Sequence, residues 1–154
     1  MAMQTWIECK IRYEKTMENG MNKKVTEPYL VDALSFTEAE ARIIEEMTPF
    51  ISGEFTVSDI KRANYSELFP CEEDAADRWF KCKLVFITLD EKSGAEKKTS
   101  TQVQVQAADL RDAVKKLDEG MKGTMADYQI ASVAETAIMD VYPYSAEPND
   151  KPEV

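Results

Sequence analysis

The chain has 154 residues, 44% of them hydrophobic, and a formal net charge of −10, with an isoelectric point near 4.6. That length buries roughly two-thirds of the unfolded surface, enough for one ordinary domain or two very small ones. The acidity repels phosphate backbones at long range, and the lack of any histidine removes the commonest general base and transition-metal ligand, which argues against most hydrolase and metalloenzyme designs.

Residues 1–5 lack a basic start followed by an apolar run, and no segment approaches the ~18 uninterrupted apolar residues of a membrane span. The sequence therefore reads as an unprocessed, soluble, cytoplasmic chain with no membrane association. Cys9, Cys71 and Cys82 form no C-x-x-C pair and leave one thiol over, which suits a reducing compartment.

In chain order, Ile7, Cys9, Ile11 and Tyr13 alternate with Glu8, Lys10 and Arg12, the period-2 pattern of a strand covered on one side. Trp6 falls on the charged face. Asn19-Gly20 signals a turn, and Val25, Tyr29, Val31 and Ala33 mark a second strand, so the two predict a hairpin whose polar loop, within 15–24, exceeds two residues. Pro28 cannot donate a ladder hydrogen bond, which places the second strand at a sheet edge. Ser35 and Glu38 form a capping box ahead of Phe36, Ala39, Ile43 and Met47 at helical spacing, predicting a helix over 36–47 that Pro49 and Gly53 end. Phe55, Val57 and Ile60 follow with a one-residue slip, hence a bulged strand that continues irregularly to Leu68-Phe69-Pro70.

After a polar acidic connector the pattern starts again. Trp6-Ile7-Glu8-Cys9-Lys10-Ile11 returns as Trp79-Phe80-Lys81-Cys82-Lys83-Leu84. Lys97-Lys98 answers Lys23-Lys24, and Val103, Val105 and Ala107 answer Tyr29, Val31 and Ala33, with Gln102, Gln104 and Gln106 facing outward. Asp109 and Asp112 replace Ser35 and Glu38, while Leu110, Ala113, Leu117 and Met121 replace the first helix face, and Gly120 or Gly123 ends this helix. Tyr128, Ile130 and Val133 to Tyr142-Pro143 answer the bulged strand.

The fold expected is α+β: an internal duplication of a β-β-α-β unit, with antiparallel-rich sheet or sheets covered by two helices around a pseudo-twofold axis. The repeats span 5–70 and 78–143, joined by a linker at 71–77, in one compact domain over 1–143. Residues 144–154, with two prolines and no apolar pattern, read as a disordered tail.

The sharpest functional feature is a strand face bearing Trp6, Lys10 and Arg12, repeated as Trp79, Lys81 and Lys83. Such a face stacks bases and holds phosphates in single-strand binders. Equally, a Trp at the first position of a strand packs beneath a neighbouring unit, and Val85 and Ile87 on the same face favour that bland reading. Cys9 and Cys82 sit at core positions, where a free Cys behaves as a small hydrophobe. Cys71 is the more accessible thiol, but with no histidine to activate it a catalytic role is disfavoured. The acids of the two helices read as solvated faces. No catalytic residue, cofactor-binding residue or metal ligand is assigned, and no cofactor is expected.

Three strings carry a resemblance: W-I-E-C-K-I-R-Y at 6–13, T-E-P-Y-L-V-D-A-L-S-F-T-E-A-E-A-R at 26–42, and Y-Q-I-A-S-V-A-E-T at 128–136. With them the chain resembles an uncharacterised family of small proteins from gut anaerobic bacteria and their phages. The resemblance implies no assigned activity or binding residue, only a phage-related or mobile-element origin. The functional expectation is a non-enzymatic binding or interaction module whose partner is an unknown protein or a second copy of the chain. Two alternatives stand beside it. One is single-stranded nucleic-acid binding on the Trp/Lys face, disfavoured by net charge; the other is an acidic mimic of nucleic acid that inhibits another protein.

Overall fold

The computed structural model describes residues 5–124 and 127–143, and the expected tail at 144–154 lies outside them. The fold is α+β; among the described residues there are two helices and eight strands in two mixed four-stranded sheets. The chain divides into two compact units, residues 5–63 with 138–143, and residues 64–137.

In the first unit, β1 (Trp6–Thr16) and β2 (Asn22–Asp32) form an antiparallel hairpin. Pairing runs up to Thr16↔Asn22, so the strands extend further into the polar stretch than alternation suggests. Gly20 takes φ +85 in the turn, a conformation that glycine reaches without steric cost. Helix α1 (Phe36–Met47) covers the face of Ile7, Cys9, Ile11, Tyr29 and Val31 with Ala39, Ile43 and Met47. Its cap is the predicted one: Ser35 Oγ accepts from the Glu38 backbone N–H at 3.1 Å, and Glu38 Oε1 accepts from Leu34 N–H at 2.6 Å. Strand β3 (Phe55–Ala63) pairs with the other side of β1, and its register shifts at Lys10/Ile11 so that Ser58 is the extra residue of a bulge. The bulge lets Val57 and Ile60 both reach the core despite their odd spacing.

The second unit runs through the same order of elements. Strands β5 (Arg78–Leu89) and β6 (Glu96–Ala107) pair antiparallel, and β7 (Asp127–Glu135) lies along the other side of β5 with its own shift at Lys83/Leu84. Helix α2 (Leu110–Gly120) brings Ala113 and Leu117 onto Phe80, Cys82, Leu84, Val103 and Val105. Asp109 Oδ1 accepts from Asp112 N–H at 2.8 Å, and Asp112 Oδ2 accepts from Ala108 N–H at 2.9 Å.

Three expectations are corrected. The bulged strand does not continue to Phe69: it stops at Ala63, and the separate strand β4 (Glu67–Phe69) joins the second sheet, parallel to β6 at 103–105. Likewise β8 (Asp140–Tyr142) joins the first sheet, parallel to β2 at 29–31. The sheet orders are therefore β3-β1-β2-β8 and β4-β6-β5-β7. Secondly, Pro28 does not mark β2 as an outer strand, because β8 flanks it over 29–31 and the Pro28 carbonyl accepts from Met139 N–H at 2.9 Å. Thirdly, Gln104 does not face solvent. It is wholly buried, and neither atom of its amide has a hydrogen-bond partner.

Side chains hold the returning segments in place. Arg42 of α1 donates to the Asp32 carbonyl and, at 2.9 Å, to that of Pro143. Lys116 of α2 donates to Glu73 at 2.9 Å and to Asp112. The acidic connector is thereby fastened to the second unit, with Ala76 buried.

A tyrosine and glutamate cleft as the candidate functional site

Along the helix-free faces, the structure separates the indoles from the cations expected to act with them. Trp6, opposite Asp32 and Ala63, and Trp79, opposite Gln106, are each only 3% exposed. Lys10 is half-buried, while Arg12, Lys81 and Lys83 are exposed. An indole covered to this extent offers no face on which a base could stack, and Trp6 Nε1 is buried without a hydrogen-bond partner. The cations remain on the surface of their own strands.

The thiols follow their burial. Desolvation pushes Cys9, with Glu8 and Glu40 adding to it, up to about 12, and Cys82 up to about 11. Neither forms thiolate at neutral pH, so neither is a nucleophile. Cys71 is half-buried, and its backbone N–H donates to Gln106 Oε1 at 2.9 Å. Among the described residues, no three Cys, Asp or Glu side chains come together as a metal-ligand set.

A different constellation stands at one end of the first sheet. Helix α1 ends at Met47, and the following turn, in which Phe50 and Ile51 N–H both donate to the Met47 carbonyl, carries Phe50 outward to 77% exposure. Toward this end of the helix, the core-facing positions of β1 and β2 include Tyr13, Glu27 and Tyr29. Tyr13 Oη donates to Glu27 Oε1 at 3.0 Å and Tyr29 Oη to the same oxygen at 3.4 Å. Lys15 Nζ stands 3.8 Å from Glu27 Oε2, with its side chain half exposed. From β8, Tyr142 stacks on Tyr29, with centroids 6.2 Å apart and planes at 23°. With Met47, Ile51, Met139 and Asp140 these residues line a cleft of about 280 Å³. A second, larger hollow of about 570 Å³ shares Tyr13 and is lined also by Arg12, Lys24 and Glu54.

The phenols are held neutral. Burial is the main cause of the upward shift of all three, joined by Glu27 for Tyr13 and Tyr29; Tyr142, with Asp140 and Glu46 nearby, is pushed up to about 12. Each keeps its proton at neutral pH, and Tyr13 and Tyr29 donate theirs to Glu27.

The second sheet has the same register with other residues at these positions. Cys82↔Val103 takes the place of Cys9↔Tyr29, and Leu84↔Thr101 that of Ile11↔Glu27. Phe86 stands two residues beyond Leu84, as Tyr13 stands beyond Ile11, and Phe69 on β4 corresponds to Tyr142 on β8. Tyr13, Glu27, Tyr29 and Tyr142 are thus replaced by Phe86, Thr101, Val103 and Phe69, so packing at these four positions does not require the polar set; Asp140 corresponds to Glu67, and Tyr128 packs on Phe86 with its hydroxyl 3.5 Å from Asp118 Oδ1. Sequence reasoning missed these residues. The available signal was Glu27, a carboxylate at a core-facing register position between two tyrosines.

A family described as a domain of unknown function, DUF4494, matches residues 5–144. No curated protein is significantly similar in sequence.

Proposed function

The chain belongs to the DUF4494 family, and from that premise we propose that it is a non-enzymatic interaction module that docks a partner protein in the cleft of its first unit. The observation that carries this reading is the contrast between the two sheets: one end of the first sheet bears three tyrosines and a glutamate where the second bears Phe86, Thr101, Val103 and Phe69. Exposed Phe50 and 49% exposed Met139 flank the cluster. Apolar anchors beside tyrosine hydroxyls, rimmed by charge, are the composition of interaction hot spots. The buried indoles weigh against single-strand binding on the Trp/Lys face.

The test is capture by the tagged chain in its source cells, comparing the native sequence with Phe50→Ser and Tyr142→Ala. Both variants are expected to lose the same captured protein while keeping the native far-UV circular dichroism. Retention of that protein by both variants overturns the reading.

A further inference from the structure

The charge and shape of the cleft specify its occupant more closely. Glu27 and Asp140 line it, and Glu46 lies near enough to act on the Tyr142 phenol, against a single ammonium from Lys15. Lys15 is a weak counter-ion: at 3.8 Å and half exposed, it contributes little and is readily displaced. Sharing the cleft with these carboxylates is the stacked pair Tyr29 and Tyr142, and aromatic ring faces attract cations. Phe50 and Met139 offer apolar surface at the mouth.

We propose that the cleft takes a lysine or arginine side chain from an extended, basic segment of a partner protein, its charged head meeting Glu27 and Asp140 and its alkyl stem lying on Tyr29, Tyr142 and Met139. This rests on the docking function proposed above. Apolar residues beside that cation pack on Phe50. The net charge of −10 draws such a segment toward the chain and makes its association rate fall with added salt. An acidic or phosphorylated segment meets like charge at the same place. Glu27 binds through an acceptor already shared by two phenols, so its carboxylate is held in position before the cation arrives.

The experiment is selection of a random short-peptide library on the intact chain, followed by affinities of the selected peptides for the native sequence, Glu27→Gln, Asp140→Asn and Phe50→Ser. Asp140 is exposed, so its variant keeps the test valid if Glu27→Gln perturbs folding. The expected result is enrichment of Lys or Arg beside apolar residues, with affinity about tenfold weaker in either charge variant and falling with salt. Peptides without a basic residue, weakened by Phe50→Ser but not by the charge variants, overturn the cation and leave the docking site standing. Selection of no peptide, or of peptides indifferent to Phe50→Ser, overturns both.

Discussion

At the scale of single residues, burial rather than residue type decides what each group does. The three cysteines have the same chemistry, yet Cys9 and Cys82 are fully buried with thiols raised to about 12 and about 11, and Cys71 is partly accessible. A thiol-reactive reagent is therefore expected to modify Cys71 alone in the native protein, and all three after denaturation, as read by mass spectrometry of the labelled peptides. The same logic separates the tryptophans from their neighbours. With 3% exposure each, Trp6 and Trp79 are expected to resist acrylamide in the folded state and to be quenched freely in denaturant. A short oligonucleotide is expected to leave their emission unchanged even at low salt. Free quenching of either indole in the native protein would contradict the burial. Cys9 and Cys82 at core-facing positions were legible from alternation alone. The covering of the Trp face was not, since a strand pattern tells which residues share a face but not what lies over it.

Among the elements, the helices were the most legible, because their signals lie within a few residues of each other. At Ser35 and Glu38, and at Asp109 and Asp112, the cap side chain accepts from the third-position N–H as the spacing predicts, while the third-position acid accepts from the N–H one residue before the cap, Leu34 or Ala108. Loss of either cap by Ser35→Ala or Asp109→Ala is expected to cost about 1 kcal/mol in denaturant unfolding. Asp112 adds a pH dependence: the Ala108 N–H, then Lys116, hold its carboxyl below the ordinary range. A carboxyl with a depressed folded value stabilises above its unfolded pKa of about 3.9 and loses that contribution as pH falls through the folded value. The stability difference between the native sequence and Asp112→Asn is thus expected at neutral pH and should shrink on acidification below about 4. Gly120 shows the limit of local reading. A Cβ built there stands 2.9 Å from the Phe69 ring, so a glycine that looked like a helix stop is also the space into which β4 packs. Gly120→Ala trades a gain of up to about 1 kcal/mol in helix propensity against overpacking of about 1–3 kcal/mol. The expected result is net destabilisation in the native background and net stabilisation on Phe69→Ala, the non-additivity being the measurement that checks it.

At the scale of the whole molecule, the decisive feature is that each sheet takes a short parallel strand from a distant part of the chain: β4 reaches β6, and β8 returns to β2. The last strand of the first unit carries Tyr142 and Asp140, so the cleft exists only once that return is made. A chain ending at residue 137 lacks β8 together with the buried Ile138. Faster hydrogen exchange at 29–31 is expected in it, with protection of β5 and β6 retained; unchanged exchange at 29–31 would show that β8 does not brace the sheet. By itself, the sequence determined the helix limits and their caps, the hairpins, the two bulges and the α+β class, because each is encoded by neighbours in the chain through turn chemistry, capping and periodicity. The echo of Trp6 and Cys9 in Trp79 and Cys82 also fell on an interior strand of each sheet, β1 and β5. Only the tertiary structure decided where the three-residue strands go, that Gln104 and the indoles are covered, and that Tyr13, Glu27, Tyr29 and Tyr142 meet. Three residues are too few to display a period, and their partners lie far along the chain, Phe69 against Val105 and Tyr142 against Val31, so the pairing is set by which sheet edge offers unpaired backbone and apolar cover. The cleft inherits that dependence, since its aromatic stack joins β2 to a strand that arrives from the far end of the chain.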